Sequence, residues 1–332
     1  MARSSSPTVG TATTVDRPSA TDAREIPLDL WLRPDAAVPC DEDLPLLVGS
    51  DASSERVVVR LDGKAVSHAA LYRHTYVLPG VGDLRVGVIG AVATDPHHRC
   101  QGHARRCIRE LQEHARATNL DVVVLWDERQ SSLYEQLGFV RAGREILHGV
   151  TRWDFPDLLG PSRVRAIESR DLPAVRALHE RELASTVRTP DMWRRLLAVP
   201  RTEAWVLERD QHIDAYGVLG KGNDLQNCVH EWGGSEGALP ALLAGIFARR
   251  RDLDEFVVMS APWKEEASRA MALHGLAGTL GVLGMIWLPE APALAARLHQ
   301  LEVGDRNHDD IVRALFDGAH AAPFYLCGLD SM

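Results

Sequence analysis

Val92-Ala93-Thr94-Asp95-Pro96-His97-His98-Arg99-Cys100-Gln101-Gly102-His103-Ala104-Arg105-Arg106 is the stretch that decides the reading of this chain. A β-branched run ends at Thr94, Asp95-Pro96 turns the chain, and helical spacing begins at Gly102. A helix N-terminus carries unpaired N–H groups and partial positive charge, so it is a ready anion site. Gly102 and Ala104 are small enough for a ligand to approach the backbone, and Arg99, Arg105 and Arg106 add charge. A pyrophosphate suits that arrangement. A plain helix start that happens to hold small residues suits it equally.

Working outward, Ala104, Cys107, Ile108, Leu111, Ala115 and Thr118 keep helical spacing for about four turns. Val122-Val123-Val124-Leu125-Trp126 is then almost wholly apolar, as a central strand covered on both faces would be. Ser132 and Glu135 form a capping box for a short helix that stops at Gly138, and Phe139–Arg152 reads as strand. Upstream, Arg56–Leu61, Ala65–Val77 and Leu84–Ala93 read as an antiparallel meander, with Asp62-Gly63 and Pro79–Asp83 as its turns. The same grammar returns after Pro156–Pro161. Strands are expected at 164–168, 203–209, 213–221, 227–232, 255–260 and 280–288, with helices at 171–183, 190–197, 237–250 and 264–274. The expected division is a disordered tail at 1–24, an N-terminal domain at 25–155 and a linker at 156–162. A second domain follows at 163–290 and a C-terminal extension at 291–332. Phe324–Asp330, apolar with a terminal carboxylate, is expected to pack back onto a sheet.

Arg99-Cys100-Gln101-Gly102-His103-Ala104 resembles motif A of the GNAT acyltransferase superfamily, Arg/Gln-x-x-Gly-x-Gly/Ala after a strand. Tyr134-Glu135-Gln136-Leu137-Gly138-Phe139 resembles its motif B. The resemblance spans roughly Val57–Val150 and implies an α/β fold, a mixed and mostly antiparallel twisted sheet flanked by helices. The repeated grammar makes that two tandem GNAT-like domains. It implies acetyl-CoA as cosubstrate. Val92, Ala93 and Thr94 would bind the pantetheine arm and thioester by extending the strand. Backbone N–H groups from Arg99 through Cys100, Gln101, Gly102, His103 and Ala104 would cradle the pyrophosphate. Tyr134 stands where many members keep a general acid for the departing thiolate. A phenol of pKa about 10 can protonate a thiolate whose conjugate acid lies near 8.5. Tyr134 would equally serve as a core aromatic on an amphipathic helix. The implied activity is acetyl transfer to a small-molecule or protein amine by direct attack; the alternative is a non-catalytic acyl-CoA-binding regulator.

Many members carry a glutamate on the strand before motif A, but Arg85–Gly90 holds no carboxylate, so Glu128 and Asp127 become the candidate bases. His97, His98, Cys100, His103 and Cys107 crowd together as zinc ligands would. Cys107, however, falls in the buried helical stripe and the histidines fall in the cofactor turn, so no metal is expected. In the second half the corresponding stretch, His230–Leu239, has glycines without the motif, and Glu231 and Glu236 would repel a pyrophosphate. That half reads as a GNAT-like copy with no cofactor site.

The 332 residues carry 37 Lys+Arg against 46 Asp+Glu, a formal net charge of −9. This balance disfavours a nucleic-acid surface and mildly favours a cationic acceptor, with Glu231 and Asp330 as further candidate contacts. An odd five cysteines without C-x-x-C spacing argue against a disulfide framework, and no apolar run reaches membrane-spanning length. A cytoplasmic location without a membrane partner is expected.

Overall fold

The computed structural model describes residues 12–18, 26–50, 52–126, 131–158, 163–298, 306–318 and 320–330. The meander forms as β2 (Glu55–Leu61), β3 (Lys64–Leu78) and β4 (Gly82–Thr94), paired antiparallel. Ahead of it, Thr13–Asp16 is a short strand, β1, on the free edge of β2, inside the segment expected as disordered tail. Its β-branched Thr-Thr-Val run supplies the ladder, and Ala12 N–H, donating to Asp62 at 2.9 Å, anchors its start. Between β1 and β2, helix α1 (Leu28–Leu32) precedes the one-turn helix α2 (Cys40–Asp43).

Helix α3 (His103–Ala117) buries Cys107, Ile108, Leu111 and Ala115 as one stripe against β2, β3 and β4. Strand β5 (Val122–Leu125) runs parallel to β4. Val122 and Val124 enter one apolar cluster and Val123 and Leu125 another, so β5 is buried on both faces. Helix α4 (Ser131–Glu135) and strand β6 (Val140–Thr151) complete the first half. The second half repeats the order. It contains β7 (Val164–Ala166), α5 (Leu172–Glu180), β8 (Ser185–Thr186), α6 (Pro190–Leu197), β9 (Glu203–Arg209) and β10 (His212–Leu219). It continues with β11 (Cys228–Gly234), α7 (Leu239–Arg249), β12 (Glu255–Ser260), α8 (Glu265–Ala272) and β13 (Thr279–Trp287). Helices α9 (Ala291–Arg297) and α10 (His308–Phe316) follow.

All thirteen strands of the described residues belong to one sheet, ordered β1-β2-β3-β4-β5-β13-β6-β12-β11-β10-β9-β7, with β8 against β3. The halves exchange their closing strands. β13 comes from the second half yet pairs with β5, and β6 comes from the first yet pairs with β12. β13 and β6 also pair with each other. Helices α3 and α4 cover the first-half strands, and α7 and α8 cover the second-half strands. A further cluster joins α1 and α2 to α5, α6 and strands of both halves. The C-terminal segment packs back inside the molecule. Phe324, Leu326 and Leu329 are buried, and Tyr76 Oη donates to Pro323 O at 3.1 Å while accepting from Tyr325 N at 2.9 Å.

Candidate active site

The site begins with a defect in β4. The β3 ladder pairs His68 with Ala93 and then Ala70 with Gly90, so β4 carries one extra residue. Ala91 takes it up with φ of +49°, a left-handed conformation disfavoured for a residue with a Cβ. His68 Nδ1 lies 2.9 Å from Ala91 O. A carbonyl only accepts, so the ring proton sits on Nδ1. Burial pushes His68 down to about 4, so the ring is neutral near pH 7. Beside it, Ser67 Oγ donates to Ala93 O at 3.0 Å. Two side chains of β3 therefore hold the bulged end of β4.

β4 and β5 pair only through Val86–Val88 and Val122–Val124. β4 then runs on to Thr94, while β5 stops at Leu125. On the far side of β5, β13 pairs only through Met285–Trp287, and its residues 279–283 extend past the end of β5. The short central strand leaves a gap in the sheet between the end of β4 and the start of β13, roughly 9–10 Å across as two strand spacings. Val92, Ala93 and Thr94 form the β4 wall of that gap.

From Thr94 the chain turns into the candidate phosphate loop. Asp95 accepts from His97 N–H at 2.9 Å and starts a single 3-10 turn at Pro96–His98. Arg99 donates through Nε to Thr94 O at 3.3 Å and through Nη2 to Trp31 O at 3.1 Å, fixing the loop to α1. Cys100 and Gly102 have φ of +61° and +83°. Gly102 caps α3 with no side-chain hydrogen bond, and a Cβ there would meet nothing within 4 Å. The first-turn N–H groups of α3 thus open onto free space beside an exposed Gln101 and half-buried His103 and Ala104. Arg105 is bonded to Gln136 of the segment after α4. That loop fits an anionic pyrophosphate.

Tyr134 on α4 is 7% exposed, set edge-on to Phe139 with ring centroids 6.1 Å apart, in the same apolar cluster as Val92 and Leu125. Gly138, with φ of +82°, ends α4 and leads into Phe139. Glu128 and Asp127 lie outside the described residues. Cys107, one of the crowded metal-like residues, is fully buried in the core of α3. Among the described residues, no group of three or more His, Cys, Asp or Glu is placed to hold a metal.

The second half differs at the matching place. β11 and β12 pair with each other at Cys228–Val257 and Val229–Val258 and then run on without pairing to one another. Here the space is filled from within. Trp232 Nε1 donates across to Ser260 Oγ at 2.9 Å, and Lys264 Nζ donates to Trp232 O at 3.0 Å and to Glu182 at 2.9 Å. Gly328 N donates to His230 O at 3.1 Å, which brings the C-terminal segment onto the strand. A cavity of about 40 Å³ remains between Trp232, Trp263 and Tyr325. β11 runs almost directly through a short turn into α7, so no extended loop precedes the helix.

Glu231 and Asp330, candidates for a cationic acceptor, are both paired with one arginine. Arg188 contacts both Glu231 oxygens at 2.8 Å and Asp330 at 2.6 and 2.8 Å. Burial alone would raise both carboxyls, but Arg188 outweighs it and holds them below the usual range. All three groups are buried, and together they knot β11 to the C-terminal segment.

One carboxylate has the opposite character. Glu145 on β6 is buried, no hydrogen bond reaches Oε2 among the described residues, and burial pushes the group up to about 7. Sequence inspection gave no reason to single it out, because β6 reads as an ordinary strand there.

Residues 48–142 match the acetyltransferase (GNAT) domain model. No curated protein sequence matches the chain. Among solved structures, a GCN5-related N-acetyltransferase from Kribbella flavida superposes with a TM-score of 0.64 at 17% identity, covering 87% of this chain and 74% of that one. A GCN5-related N-acetyltransferase from Anabaena variabilis gives 0.61 at 14%, covering 84% and 73%. A tandem GNAT protein from the clavulanic acid biosynthesis pathway gives 0.51 at 16%, covering 84% of this chain and 99% of its own. These likenesses establish the fold: two GNAT-like domains in tandem.

Proposed function

We propose that the chain, which matches the acetyltransferase (GNAT) domain model at residues 48–142 and has a tandem GNAT-like fold, is an acetyl-CoA-dependent N-acetyltransferase whose first half does the chemistry. The observation that carries the reading is the gap opened by the Ala91 bulge and the short β5, next to an uncapped α3 N-terminus. Val92, Ala93 and Thr94 offer main-chain groups along one wall for the pantetheine arm. The N–H groups from Arg99 through Cys100, Gln101, Gly102, His103 and Ala104 suit the pyrophosphate. When bound, acetyl-CoA supplies an activated acyl group as its thioester. Tyr134, from α4, donates its phenolic proton to the departing sulfur. The attacking group is an amine of a small molecule or protein.

The second half is proposed to hold no cofactor. Its gap is closed by Trp232, Ser260 and Lys264, and its helix lacks the preceding loop. In this reading the division expected from sequence keeps its functional sense, with one active copy and one that completes the sheet.

Calorimetry tests the proposal directly. One acetyl-CoA is expected to bind per chain, and free CoA is expected to appear on adding a primary amine. Tyr134→Phe is expected to keep the binding and lower kcat by about 10²-fold, the usual worth of a positioned general acid. Binding without turnover across tyramine, spermidine and a lysine-containing peptide would favour the regulator instead.

A further inference from the structure

We propose that Glu145 is the general base of the transfer, taking the proton from the ammonium form of the acceptor across the gap from β4; this rests on the acetyltransferase reading above. The argument starts from register. Met285 lies opposite Leu125, the last residue of β5, so the β13 residues before it stand beyond the end of β5. They form the gap's second wall, facing Ile89–Thr94 of β4. Gly281 is in this wall, and its partner on the outer strand β6 is Glu145.

Gly281 has no side chain, and Glu145 uses the space. A Cβ on Gly281 would lie 2.9 Å from Glu145 Cγ and 3.0 Å from Oε1. The glutamate arm therefore lies over β13 at Gly281, a residue of the gap's second wall. Two titratable groups face it electrostatically, Cys228 of β11 and Tyr325 of the C-terminal segment. Burial raises both, so each is neutral near pH 7. Among the described residues no hydrogen bond or ion pair reaches Glu145 Oε2. A buried carboxyl without a partner is uncommon in folded proteins and asks for an explanation. A base titrating near 7 would supply one, since it is ionised at working pH and still basic enough to accept a proton.

The protons balance. The ammonium gives one proton to the Glu145 carboxylate, and the freed amine attacks the thioester carbon. The C–N bond forms and the C–S bond breaks. The nitrogen loses its second proton to solvent water as the amide forms, and the sulfur receives one from Tyr134, which is reprotonated from solvent. The proton on Glu145 leaves to water before the next turnover.

The test uses Glu145→Gln and Gly281→Ala in the full chain, with tyramine, spermidine and a lysine-containing peptide as acceptors. For Glu145→Gln we expect unchanged acetyl-CoA affinity by calorimetry and a loss of about 10²-fold in kcat/KM for the amine at pH 7. The rise in rate through pH 7 should vanish, and high pH should restore much of the loss. Gly281→Ala should lower activity in the same direction by displacing the carboxylate. Thermal unfolding reads the group without any acceptor. Because folding raises this carboxyl, its stabilisation is complete below about 4.5, the unfolded value, and is lost as pH rises through about 7. The Tm advantage of Glu145→Gln over wild type should therefore grow from pH 5 to pH 8. A wild-type pH–rate profile in Glu145→Gln, or a Tm difference that stays flat from pH 5 to 8, would overturn the assignment. If the wild-type chain binds no acetyl-CoA, the acetyltransferase reading itself falls.

Discussion

At the scale of single residues, the proposed chemistry rests on a left-handed alanine and the histidine that holds it. Ala91 spends conformational energy, of order 1–3 kcal/mol for such a backbone, to push β4 away from β5. His68 offsets this with a buried hydrogen bond to the alanine's carbonyl. His68→Leu would leave that carbonyl buried and unpaired, a penalty of about 1–3 kcal/mol. We expect a lower Tm together with weaker acetyl-CoA binding. His68→Asn, whose amide N–H can replace Nδ1–H, should recover much of the binding. Calorimetry on both variants decides it, and equal losses would mean that the hydrogen bond does not set the bulge. Little of this was legible beforehand. The glycine at 102 could be read because a left-handed cap calls for it, whereas Ala91 carries no such mark. Glu145 was equally silent, since its burial comes from segments distant in sequence, with β12, β13 and α10 packed on β6.

Elements were the most legible level. Period 2 and period 3.6 are local properties, so α3, β5 and the three-strand meander could be placed from spacing alone. The tail strand Thr13–Asp16 was missed because four residues in a Ser/Thr/Ala-rich run become a strand only when β2 offers an edge. The C-terminal segment behaves as an element without being a helix or strand. It buries Phe324, Leu326 and Leu329, and its Asp330 completes the Arg188 knot. At about 1.5–3 kcal/mol for each fully buried side chain, truncation after Ala321 should remove much of the 5–15 kcal/mol typical of a folded domain. The expected result is a cooperative unfolding midpoint shifted far to lower denaturant, or no cooperative transition. An unchanged midpoint in urea would show that the segment only rests on the surface.

For the whole molecule, pairing across the halves is the property that spacing could not reveal. Strand identity is written in local sequence, but β5 finds its neighbour in β13 and β6 finds its neighbour in β12. The first half matches the acetyltransferase domain model yet takes one wall of its gap from β13 of the second. Residues 1–158 expressed alone should accordingly be insoluble or molten, and co-expression with residues 159–332 should recover a soluble, acetyl-CoA-binding pair. Circular dichroism and calorimetry on the separate and joint products would check this, and a well-folded, binding-competent 1–158 would contradict it. The exchange also sets a timetable for synthesis. β5 leaves the ribosome with its Val122–Leu125 edge unpaired, and Met285–Trp287, which must cover it, are still ~160 residues from being made. At about 5–20 residues per second that is roughly 8–32 s. Throughout that interval the nascent chain displays an apolar strand edge of the kind that recruits other strands. Slowing translation between the halves should therefore lower soluble yield, and the first half should be a client for chaperones until its borrowed strand arrives.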